Sequence, residues 1–160
     1  MKITAMIPAR LGSNRLKKKN LLKIGGKSLV SICLEKCVNS GCFTEIFLNT
    51  ESEEIMKHGA IKGVQIYHRD DKHADDNATS ENFVRDFIIN NECDYLFQIH
   101  TIAPLLSEND IEKFVYNFIE SGKQVGLCYE KIILETTDHL ENPINFSFKR
   151  KQNSQELKTL

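Results

Sequence analysis

The sequence predicts an α/β fold built on a mostly parallel, doubly wound sheet. Three observations carry that prediction. Short apolar runs of strand length recur between residues 3 and 129. Stretches with apolar residues at helical spacing lie between those runs. Strand and helix alternate, which closes as right-handed βαβ crossovers and leaves successive strands parallel.

In chain order the strand runs are "ITAMI" at 3–7, "EIFLNT" at 45–50, "VQIY" at 64–67, "YLFQI" at 95–99 and "QVGLCY" at 124–129. The first helical stripe joins Leu29, Ile32, Cys33 and Cys37, and the second joins Phe83, Val84, Phe87 and Ile88. The clearest is Ile111, Phe114, Val115, Phe118 and Ile119, which repeats at i, i+3, i+4, i+7 and i+8 and reads as core. Start signals agree: Thr50 and Glu53 read as a capping box, as do Ser107 and Asp110. Gly41 and Gly122 follow their helices as stops. From about residue 136 the pattern weakens into a polar tail, expected to be partner-dependent or incomplete.

At 160 residues the chain reads as a single domain, long enough to bury a core. The apolar share of 41% and the charged share of 27% are those of an ordinary globular protein. A net charge of −1 speaks against a general nucleic-acid coat or a membrane-surface protein, so electrostatic function has to be local. No apolar stretch has the length of a membrane span, and the start carries no secretory signal pattern. The five cysteines form no C-x-x-C pair and read as reduced, mostly buried thiols of a cytoplasmic protein.

Local charge is found in "IPARLGSNRLKKKN" at 7–20. Arg10, Arg15, Lys17, Lys18 and Lys19 stand there, and no acidic residue occurs between 8 and 34. A solvated surface would intersperse acids among these bases. Gly12 and Ser13 let the backbone turn and aim N–H groups at one point. The loop follows the first strand, and parallel sheets bind ligands beyond the carboxyl ends of their strands. These features point to phosphate, which Arg and Lys hold through charge-assisted bonds. "GGKS" at 25–28 is not a P-loop, because Leu21 stands where the motif requires glycine, and no G-x-G-x-x-G is present.

"IPARLGSNRLKKKNLLKIGGKSLV" resembles the opening motif of the sugar-activating nucleotidyltransferases, and within them the acylneuraminate cytidylyltransferases. The matching positions are Ala9, Arg10, Gly12, Ser13, Arg15, Lys19, Asn20, Gly26, Lys27 and Leu29. "FLNTESEEI", "HRDDKHADDNATSENFVRDFI" and "FQIHTIAPLLSENDI" continue the resemblance in order. It implies a Rossmann-like, three-layer nucleotidyltransferase fold whose C-terminal part is incomplete. It also implies transfer of CMP from CTP to an acidic, nonulosonic-type sugar for surface glycans, with release of pyrophosphate. By the same resemblance Arg10 and Lys19 are catalytic, and Leu11, Gly12, Ser13, Asn14, Arg15 and Asn20 bind nucleotide. Arg69, the backbone of Ala78 and the hydroxyl of Ser80 select cytosine, and Gln98 faces the acceptor. The family uses Mg²⁺, for which no ligand is assigned in this chain, and it dimerises through an arm placed here at 136–160.

Other readings stay open on individual residues. Arg69 beside Asp70 and Asp71 also fits a surface ion pair. Thr79 or Ser80 also fits a helix cap, and Gln98 a solvated amide. His100 is a lone histidine with no visible orienting partner. The acids Asp70, Asp71, Asp75 and Asp76 lack the spacing of a calcium loop. Asn14 stands where the family usually has lysine. Ile102 and Ala103 replace a usual Thr-Ser, which leaves the acceptor undecided. A nucleotidyltransferase with another acceptor, or a binding module without turnover, are the alternative functions. A nucleic-acid binder is disfavoured because the basic patch is confined to one loop.

Overall fold

The computed structural model describes residues 1–13, 16–75, 78–128, 138–142 and 144. In chain order the elements are β1 (Ile3–Pro8), β2 (Lys23–Ile24), β3 (Lys27–Ser28), α1 (Leu29–Ser40), β4 (Glu45–Thr50), α2 (Glu53–Met56), β5 (Val64–His68), α3 (Ser80–Asn90), β6 (Tyr95–Gln98) and α4 (Glu108–Glu120). Four strands form one sheet in the order β5-β4-β1-β6, parallel at every pairing. Strands β2 and β3 make a separate antiparallel ladder.

Alternation along β1 and β4 distributes the helices. Ala5, Ile7, Ile46 and Leu48 point to one face, where Val30, Leu34 and Cys37 of α1 cover them. Ile3 and Phe97 continue that face beneath Ile111 and Val115 of α4. Met6 and Phe47 point the other way, onto Phe83 and Phe87 of α3. Phe87 sits edge-on to both Phe47 (5.1 Å) and Tyr67 (5.0 Å). The result is helix, sheet, helix: the expected three-layer α/β architecture. Chain order runs outward from β1 through β4 to β5, then returns to the other side of β1 as β6. That reversal is a topological switch point, and a crevice opens there beyond the strand ends.

The helix signals hold with one shift. Ser107 and Asp110 form a reciprocal capping box on α4, and Thr79 forms another with Asn82 on α3. Gly41 ends α1 at φ 65°, a backbone state that a side chain would disfavour. Thr50, expected to cap the next helix, is instead the fully buried last residue of β4, paired in register with His68. Its Oγ1 accepts from Ser52 N (3.2 Å), and Ser52 is the cap, accepting from Ile55 N (3.3 Å). The strand runs further than the capping pattern allowed for.

The chain divides into two compact units, Met1–Lys123 and Gln124–Leu160. In the second, the strand expected at 124–129 does not form over residues 124–128: Val125 and Leu127 are 80% and 84% exposed. Gly126 interrupts the apolar run, and a short run becomes a strand only where a ladder receives it. Asp138 nucleates a turn there, its backbone N donating to Asn142 O (2.9 Å). The tail boundary expected at 136 and the remaining tail positions lie outside the described residues, apart from 138–142 and 144. Among the described residues no helix is long and apolar enough to cross a membrane.

Candidate functional site

At the end of β1, Ala9 N donates to Asn49 O (3.0 Å), which carries the chain past the sheet before it turns. Leu11 N then donates to Glu51 Oε1 (2.7 Å). Lys18 takes the left-handed conformation (φ 50°) and starts a 3-10 turn over Lys19–Leu21. This turn separates neighbouring cations. Lys18 leaves the site to pair with Glu54 (2.8 Å), and Lys27 pairs with Glu35 (2.6 Å). Lys19 instead lines a cleft of about 220 Å³ at the switch point and makes no ion pair among the described residues.

Twelve residues line that cleft, and seven of them are sequence-predicted: Arg10, Gly12, Ser13, Lys19, Asn20, Arg69 and Ser80. Arg10 Nη1 donates to the carbonyls of Ala74 (3.2 Å) and Asp75 (2.7 Å), which ties the phosphate-type loop to the loop before α3. A Cβ at Gly12 would have no heavy atom within 4 Å, so the cleft is open at that point. Asn20 is buried and uses both ends of its amide internally. Its Nδ2 donates to Arg10 O (2.8 Å), and its Oδ1 accepts from the buried hydroxyl of Thr101 (2.6 Å). Asn20 therefore fixes the loops after β1 and β6 to each other.

Arg69 is 3% exposed, which excludes the surface ion pair with its acidic neighbours; Asp70 pairs with Lys72 instead (2.8 Å). Its Nη2 donates to Asn49 O (2.7 Å) and its Nη1 to His73 O (3.3 Å), while the guanidinium stacks 4.8 Å from the centroid of Phe83. Burial lowers its pKa, against a smaller opposing pull from Glu51. Ala78 lies outside the cleft lining, and its N–H is already given to Asp75 Oδ1 (2.7 Å). Ser80 opens α3, where helix N–H groups lack intrahelical partners. Thr79, not Ser80, makes the cap, so the Ser80 hydroxyl is left for the cleft.

On the opposite wall stand His100, Thr101 and Ile102. Gln98 does not line the cleft, but its Nε2 lies 3.0 Å from His100 Nε2. Partial burial, then the nearby Lys19 cation, hold the His100 pKa below the ordinary histidine range. Lys36, on α1, donates to Leu106 O (2.6 Å) and to Pro104 O, pinning the loop that follows β6. Sequence reasoning missed Lys36, Phe83 and Glu51. Phe83 sits in a helical stripe that reads as core, and Lys36 and Glu51 act through long-range contacts, with the loop after β6 and with Leu11, that no local pattern announces.

Leu11 also lies outside the lining and packs against the core. Asn14, Arg15 and Asp76 lie outside the described residues. Among the described residues no three His, Cys, Asp or Glu side chains cluster to hold a metal ion.

The profile of the family described as Cytidylyltransferase matches residues 4–158. The chain belongs to the cytidylyltransferase family. A pseudaminic acid cytidylyltransferase of Campylobacter jejuni subsp. jejuni serotype O:23/36 is 32% identical, over 97% of this chain and 66% of that protein. A 3-deoxy-manno-octulosonate cytidylyltransferase of Christiangramia forsetii is 25% identical, over 90% of this chain and 57% of that protein. An N-acylneuraminate cytidylyltransferase of Streptococcus agalactiae serotype III is 29% identical, over 79% and 34% respectively. This cytidylyltransferase-family chain thus spans two thirds or less of the length of these curated relatives. Among solved structures, CMP:2-keto-3-deoxy-manno-octonic acid synthetase complexed with CTP matches with a TM-score of 0.64 at 21% identity, over 76% of this chain and 49% of that one. That likeness shows a shared nucleotidyltransferase-type α/β fold.

Proposed function

We propose that this chain provides the CTP-binding part of a cytidylyltransferase that moves CMP onto an acidic sugar of the nonulosonic type for surface glycan assembly. The observation that carries the reading is the convergence of Arg10, Ser13, Lys19, Arg69 and Ser80 on one cleft at the switch point. Cations gather on the side of the glycine-serine turn and suit a triphosphate. Arg69 and Phe83, both buried and stacked on each other, line the same cleft with the exposed Ser80 and suit a planar base.

In the reaction an acceptor hydroxyl oxygen attacks the α-phosphorus. A new O–P bond forms, the bond from α-phosphorus to the bridging oxygen breaks, and its electron pair leaves with pyrophosphate. The hydroxyl proton passes to solvent. Lys19 and Arg10 offset negative charge growing on the phosphoryl oxygens, and the turn at Gly12 and Ser13 brings N–H donors close. Asn20 holds the two loops in the separation that this geometry needs. Mg²⁺, a homodimer and a cytoplasmic location belong to the same reading by resemblance.

Incubation with CTP and pseudaminic acid, N-acetylneuraminic acid or 3-deoxy-manno-octulosonate, followed by ³¹P NMR, tests it. Pyrophosphate and a CMP-sugar diester signal are expected with an acidic sugar and absent without one. CTP binding with no product from any acceptor would favour the alternative of a nucleotide-binding module without turnover.

A further inference from the structure

We propose that His100 is a specificity-determining residue of this cleft: its ring, oriented by Gln98, donates a hydrogen bond from Nδ1 to the acceptor sugar. The inference rests on the cleft being a CTP and acidic-sugar site, and it adds a residue for which no role has been assigned.

Geometry comes first. His100 lines the cleft beside Thr101 and Ile102, on the wall formed by the loop after β6. The Nε2 of Gln98 lies 3.0 Å from its Nε2. An amide nitrogen carries two protons and no acceptor site, so the ring nitrogen facing it has to be the unprotonated one. The single ring proton then belongs on Nδ1, as a donor. Gln98 stands outside the lining, so it acts through the histidine as a positioning residue. Gln98 ends β6, and the loop that follows and bears His100 is anchored twice, by Thr101 Oγ1 to Asn20 Oδ1 (2.6 Å) and by Lys36 to Leu106 O (2.6 Å). A ring on such a fixed support can discriminate between positions of an acceptor oxygen.

Charge decides which substrate it meets. Partial burial and Lys19 both disfavour an imidazolium at this position. A neutral donor adds little to the hold on a triphosphate, which Arg10 and Lys19 already address. It is well matched to a hydroxyl, carbonyl or carboxylate oxygen of a sugar.

Two measurements on the intact chain test this. Long-range ¹H–¹⁵N spectra of the histidine rings, assigned with His100→Ala, are expected to show the Nδ1–H form at pH 7. The Gln98→Ala variant should lose that preference. Calorimetry of pseudaminic acid binding to the chain, with a non-hydrolysable CTP analogue bound, is expected to show an affinity about tenfold lower in His100→Ala. His100→Asn, which keeps a donor near Nδ1, should stay within about threefold of the original. Affinity for the CTP analogue should stay within about twofold in both variants. An Nε2–H ring, an unchanged sugar affinity in His100→Ala, no sugar binding to a chain that binds the CTP analogue, or an equal loss of CTP and sugar binding would each overturn the proposal. Failure of the unsubstituted chain to bind the CTP analogue would overturn the underlying cytidylyltransferase reading instead, and the ring spectra would still decide the state of His100.

Discussion

The Nη2 of Arg69 donates to the carbonyl oxygen of Asn49 at 2.7 Å, although the two residues are twenty positions apart. The Arg69 backbone N–H also reaches Thr50 O (3.0 Å), so the loop after β5 is fastened to the end of β4 at two points. A buried guanidinium bonded this way serves the fold and the cleft together: it closes the sheet's carboxyl edge and offers Phe83 a charged stacking partner. Replacing it with methionine removes the side-chain donor from His73 O and leaves Asn49 O with Ala9 N alone. The expected cost is about 2–4 kcal/mol, read from urea unfolding, and Arg69→Lys should recover only part of it. A loss under about 1 kcal/mol would mean that these bonds are not holding the loop.

Arg10 and Lys19 share a cleft but differ in what else they touch. Lys19→Ala should lower CTP affinity about tenfold or more and leave the melting temperature within about 2 °C, since no ion pair is lost. Arg10→Ala should lower both, because its bonds to Ala74 O and Asp75 O disappear as well. Thermal melts and calorimetry on the two variants separate binding from folding. Unchanged CTP affinity in both would remove the phosphate role of this loop.

Gly12 tests the same loop without touching charge. Nothing lies within 4 Å of a Cβ built there, so Gly12→Val is expected to fold normally. The added methyls would stand in the cleft, where a phosphate has to approach the backbone. Affinity for CTP should fall by about tenfold or more with the unfolding midpoint unchanged. Equal affinity would place the phosphates elsewhere.

Tyr67 supplies a pH dependence away from the cleft. Burial first, then its bond to Asp86 Oδ2 (2.7 Å), push its pKa up to about 12. A raised folded-state value means that the folded protein holds this proton more tightly than the unfolded chain. Its stabilising contribution is therefore complete below the unfolded value of about 10 and is lost as pH rises towards 12. Urea midpoints at pH 8 and pH 11 should fall further in the unsubstituted protein than in Tyr67→Phe. Parallel falls would assign the alkaline loss to other groups.

How much of this was legible in the sequence depends on whether the signal was local. The stripe Ile111–Ile119 and the cap at Ser107 are local, and α4 lies where they predict. The basic loop was legible as well, because a run of cations without acids is unusual wherever it falls. Arg69 was singled out by resemblance alone: its acidic neighbours in sequence fit a surface pair as well, while its partners in space are carbonyls of Asn49 and His73. Asn20 was singled out as a substrate contact, yet both ends of its amide are used on Arg10 and Thr101, 81 positions from the latter. The run at 124–128 shows the converse limit: apolar residues of strand type form no strand unless a ladder receives them.

The most direct test of the central claim is isothermal calorimetry of CTP, UTP, ATP and GTP against the purified chain, each with and without Mg²⁺. A cleft lined by Arg10 and Lys19 together with Arg69, Phe83 and Ser80 predicts CTP as the preferred nucleotide by about tenfold, about 1.4 kcal/mol. Equal binding of all four would contradict the base-selecting wall, and no binding of any would contradict the triphosphate cleft itself.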